Sequence, residues 1–160
     1  MRNYNTIVIT IFAAVFLALL PMPEWAAWGR PAWVLMVLIF WTMITPYQVN
    51  VGVAWAAGLL LDMLTGTTLG EHALALTIII YFVYRFRMRI NMYPMLQQGF
   101  SVFLCVLAYQ VILYAVQGVI GQAPQSRLYW LSSLTTVMLW PWLYVIMKDY
   151  CRSARIYMTE

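Results

Sequence analysis

The stretch that decides the fold is GLLLDMLTGTTLG, residues 58–70. It carries Asp62, the one carboxylate inside an apolar run of this chain. Gly58, Asp62, Gly66 and Gly70 follow one another at intervals of four. On a helix that spacing keeps residues near one face. Three of the four lack a side chain, so another backbone can approach there. The fourth is an acid that hydrocarbon does not tolerate unpaired. A helix built this way is buried against other protein, and its acid needs a partner.

Working outward, the chain has 160 residues, 64% hydrophobic and 9% charged. Soluble domains run near about 25% charged. Here the charges lie in short gaps between apolar runs. That pattern predicts an all-α integral membrane protein, a single polytopic domain over residues 1–160 with about six spans. The spacing places the spans near 6–22, 31–45, 49–65, 69–84, 95–120 and 128–147. Pro21, Pro23, Pro46 and Pro94 punctuate them, and Pro141 is expected to kink the last. The first run could pass for a signal peptide, but Trp25 and Trp28 crowd the cleavage site near Ala26 and Ala27, so it reads as a retained span.

Basic residues set the orientation. With six spans, Arg2, Arg85, Arg87, Arg89, Lys148, Arg152 and Arg155 share one side, and Arg30 and Arg127 the other. The richer side faces the cytoplasm, which puts both termini inside. The net charge of +4 therefore reports orientation and not nucleic-acid binding. Arg85, Arg87 and Arg89 are expected in a cytoplasmic loop, contacting anionic lipid or docking a partner. Cys105 in a span and Cys151 in the tail make no disulfide framework and read as a filler and a free thiol.

Asp62 lies in the outer half of the third span. Three readings stay open: a partner-docking or packing ion pair, a structural acid bonding Thr65, Thr67 or a loop amide, and a proton relay. Arg30 is its first candidate mate and Arg127 its second. Gly52, Gly58, Gly66 and Gly70 read as close-packing positions. His72, beside Glu71, reads as a surface or capping residue, since one histidine and one acid are too few for a metal site. Gln110 and Gln117 share a face of the fifth span and could line a polar cavity or bond across helices. The chain shows no phosphate-cradling loop, no nucleophile elbow and no paired intramembrane acids. An enzyme, a metal and a cofactor are accordingly not expected.

RPAWVLMVLIFW (30–41), VNVG (49–52), GLLLDMLTGTTLG and LWPW (139–142) occur in this order. Together they resemble the rod-shape-determining MreD family over nearly the whole chain. Many relatives carry a polar residue between Pro31 and Trp33, where this chain has Ala32. The resemblance implies a non-catalytic inner-membrane scaffold that binds MreC, a single-span protein with a large periplasmic part. RodA, a penicillin-binding transpeptidase and MreB complete the implied complex, which places lateral peptidoglycan synthesis. It also implies the six-helix fold of the substrate-capture subunits of energy-coupling-factor transporters. Uptake of a small vitamin-like molecule is thus the alternative function. Asp62 with Arg30 is expected to shape the outer half of the MreC-binding surface. A homodimer and a ligand or lipid in the interior remain open.

Overall fold

The computed structural model describes residues 2–21, 23, 29–121 and 127–153. Among the described residues six α-helices run in chain order: α1 (Arg2–Leu19), α2 (Trp33–Ile44), α3 (Val51–Thr65), α4 (Glu71–Met92), α5 (Met95–Ile120) and α6 (Leu131–Ser153). A 3₁₀ turn, Arg127–Trp130, leads into α6. Among the described residues there is no strand. By length and composition α5 can cross a membrane on its own, while α1, α2 and α3 are apolar but shorter. Glu24, Trp25, Trp28, Arg155 and the side chains of Arg2, Arg127 and Arg152 lie outside the described residues.

The centre of the molecule is α2. Ten of its twelve residues are buried, and it packs on α1, α4, α5 and α6. A helix that is apolar all round must be covered all round, and WVLMVLIFWTMI offers no polar face. Its polar atoms are satisfied locally. Trp41 donates its indole N–H to Thr10 Oγ1 of α1 at 2.9 Å, and Thr42 donates back to the Leu38 carbonyl at 2.7 Å. The Gly–Asp stretch, in contrast, forms a tight hairpin of α3 against α4 at one side of this centre.

The ends of the bundle are set by recognisable stops. Asn50 caps α3, its side chain accepting from the amides of Gly52 and Val53. Gly66 ends α3 with φ +68° and Gly70 opens α4 with φ +100°, conformations that cost a side chain about 1 kcal/mol or more. Pro94 drives the residue before it into extended backbone, and Tyr93 has ψ 142°. Helix α4 therefore continues to Met92. Arg85, Arg87 and Arg89 lie on its last turns and not in a loop. The bulky residues that alternate with them, Phe86 and Met88, and Ile90 after them give the backbone no reason to break.

Candidate functional site

Gly58 is where the two helices of the hairpin touch. A Cβ added there would lie 2.3 Å from Ala73 Cα and 2.6 Å from Ala73 N. No side chain fits that gap. The other three glycines do different work. Gly66 and Gly70 supply turn geometry in open space, and Gly52 faces its own cap at Asn50. The four-residue spacing thus marks one shared helix face for Gly58 and Asp62 only, because α3 stops at Thr65.

One turn beyond Gly58, the close approach delivers Asp62 to the first turn of α4. Its carboxylate is 1% exposed. Oδ2 accepts from the Gly70 amide at 2.9 Å and the Ala73 amide at 3.3 Å. Oδ1 accepts from the His72 amide at 2.9 Å, from His72 Nδ1–H at 2.8 Å and from the Thr67 hydroxyl at 3.2 Å. The first amides of a helix have no partner within it. A capping side chain ordinarily serves them, but the cap position here is Gly70, which has none. Asp62 does this work from the neighbouring helix. Its negative charge also meets the positive end of the α4 dipole.

Arg30 is engaged elsewhere. Its guanidinium donates to the carbonyls of Ala18 at 2.8 Å and Leu20 at 2.6 Å, at the end of α1. Those carbonyls lack helical donors, and a cation is favoured there. Among the described residues the basic side chain that meets Asp62 is His72. The structural-acid reading, through Thr67 and loop amides, is the one the geometry matches. The expected Asp62–Arg30 pair is replaced by two separate helix caps.

Both caps border one cavity of about 530 Å³, lined in part by Arg30, Trp33, His72, Gln110, Gln117 and Tyr129. Gln117 donates to Glu71 Oε1 at 2.5 Å, and Glu71 also accepts from Thr68 at 2.9 Å. The Tyr129 hydroxyl donates to the Gln110 carbonyl at 3.4 Å, and Gln110 Nε2 makes a long contact of 3.5 Å to the Tyr129 carbonyl. Gln110 and Gln117 thus do both things their spacing allowed, lining a cavity and bonding across helices. Two buried atoms in the lining have no partner among the described residues: Arg30 Nε, a donor, and Gln110 Oε1, an acceptor. Such atoms cost about 1–3 kcal/mol each when left unpaired.

The rim of the cavity is fixed by hydroxyls that the sequence reading passed over. Thr135 donates to the Gly29 carbonyl at 2.8 Å, and Ser132 to the Arg30 carbonyl at 2.5 Å. Thr136 accepts from the Ala32 amide at 3.1 Å. The signal was present as SSLTT, 132–136, four hydroxyls within one apolar helix.

The family profile for rod shape-determining protein MreD matches residues 1–150. A rod shape-determining protein MreD from Haemophilus influenzae is 27% identical over 155 residues, covering 97% of this chain and 96% of that protein. Both descriptions concern rod shape, so the transport alternative gains no support. No solved structure matches. The chain belongs to the MreD family of rod shape-determining proteins.

Proposed function

We propose that this chain is a non-catalytic scaffold of the bacterial elongation complex. Its helices sit in the inner membrane with the Arg30 end outward, and its role is to bind MreC and help place lateral peptidoglycan synthesis. RodA, the transpeptidase and MreB act beside it. The observation that carries the reading is the cavity at the Arg30 end with its orphan donor and orphan acceptor. Arg30 Nε–H calls for an acceptor and Gln110 Oε1 for a donor. A peptide backbone supplies both, at the spacing of one residue. A partner with one span and a periplasmic part leaves the membrane at this level, so its chain can enter from above. The positive-side count supports the orientation.

The test is co-purification from detergent-solubilised membranes with a tag on the C-terminal tail. Ala18→Phe adds bulk to the cavity wall, and Gln110→Leu removes the orphan acceptor. Each should cut MreC recovery by about tenfold, the effect of losing one well-placed buried contact, while expression stays normal. Undiminished MreC recovery from both variants would refute the cavity as the docking site.

A further inference from the structure

A second concavity lies on the opposite half of the molecule, between α4 and α5. It measures about 490 Å³ and its walls include Phe82, Phe86, Leu104 and Ala108. Arg89, Tyr93 and Ser101 are its polar lining residues, on the helix ends that flank the Pro94 turn. Arg89 is exposed, and among the described residues no hydrogen bond or ion pair engages it. The three arginines are therefore not equivalent. Arg87 turns to the other face of α4 and stacks on Tyr84 at 5.0 Å.

Resting on the membrane reading above, we propose that this groove is a site for one anionic glycerophospholipid of the cytoplasmic leaflet. An acyl chain lies along Phe82, Phe86 and Leu104, and the headgroup phosphate meets Arg89. The length of the groove argues for this occupant. The residues from Ile79 to Arg89, both of which line it, rise about 15 Å along the helix. That is one leaflet, half of a hydrocarbon core of about 30 Å. A partner's transmembrane helix would need an apolar face about twice as long. The charge argues the same way. A guanidinium at the apolar–aqueous boundary presents a fork that suits phosphate oxygens, and Tyr93 sits at the headgroup level that aromatic rings favour.

The experiment uses the full chain, purified in a mild detergent and offered equal amounts of phosphatidylglycerol and phosphatidylcholine, with bound lipid counted by native mass spectrometry. The wild type should retain phosphatidylglycerol over phosphatidylcholine by about fivefold, the discrimination one interfacial cation supplies. Arg89→Gln should abolish that preference. Ala108→Phe fills the groove from an exposed position and should lose both lipids. Lys148→Gln, the same charge change on α6, should behave as wild type. Equal retention of the two lipids by the wild type would overturn the proposal, as would equal losses in Arg89→Gln and Lys148→Gln, which mean diffuse attraction. A chain that stays monodisperse without detergent overturns the membrane reading and the site with it. Loss of MreC binding alone leaves the lipid result standing on its own.

Discussion

Asp62 shows how one buried charge organises a whole junction. It satisfies three amides, an imidazole N–H and a hydroxyl at once. Removing one partner of a buried charged network leaves the others unpaired, which costs about 3–5 kcal/mol. Asp62→Ala should therefore destabilise the detergent-solubilised chain by that order, read as a fall in thermal midpoint. Asp62→Asn should fall almost as far, since its amide nitrogen would face the donors it replaces. Exchanging the charges, Asp62→Arg with Arg30→Asp, should recover nothing, because the two side chains cap different helices. Recovery in that double variant would mean the pair exists after all. Gly58 makes a parallel case. Gly58→Ala drives a methyl group into the Ala73 backbone and should cost about 1–3 kcal/mol or more. Gly66→Ala meets open space and should cost only the left-handed backbone strain, about 1 kcal/mol. Thermal midpoints of the two variants, measured side by side, check that order. The sequence made this residue legible as an acid in need of a partner. It could not name the partner, because the choice between Arg30 and the α4 amides depends on where α3 ends.

At the scale of the element, helix ends explain most of what the sequence hid. Hydropathy falls at Arg85, yet α4 continues to Met92, because side-chain polarity does not break a backbone and Pro94 does. The same reasoning applies to the last helix. Residues after 147 look like a polar tail, but α6 runs to Ser153 and Cys151 is fully buried. Burial pushes the Cys151 thiol up from 9.0. A group whose folded pKa is raised contributes stability that is complete below 9.0 and is lost as pH rises above it. In a Cys105→Ala background, alkylation of the folded chain should thus be slow at neutral pH and go on rising with pH beyond 9.0, where an ordinary thiol has levelled off. Fast labelling at neutral pH would place Cys151 on an exposed tail. Periodicity, by comparison, reads well where an element is long. The helix Met95–Ile120 carries Gln110 and Gln117 on one face, and both reach the cavity. The hydroxyls of SSLTT were passed over because each alone looks like an ordinary small residue. Their meaning comes from the loop at 29–32 that they hold.

At the scale of the molecule, the division of labour is spatial. An apolar helix, α2, occupies the middle, and a six-helix all-α bundle follows from composition and hydropathy alone. Which helix is central did not follow, because the Gly–Asp hairpin is the more distinctive sequence and α2 is merely the more uniformly apolar one. At one end the caps of α1 and α4 frame a largely apolar cavity with a few polar groups in its wall. Toward the other, arginines line an apolar groove or stack beside it. Such asymmetry suits the scaffold proposed above, in which partners approach from two sides of a membrane.

We propose above that the cavity receives MreC. The most direct test is photo-crosslinking in living cells with azidophenylalanine, close in shape to tyrosine, placed at Tyr129 inside the cavity or at Tyr81 on the exposed face of α4. The account predicts an MreC adduct from position 129 and none from position 81. An MreC adduct from position 81 alone, with none from 129, would contradict it.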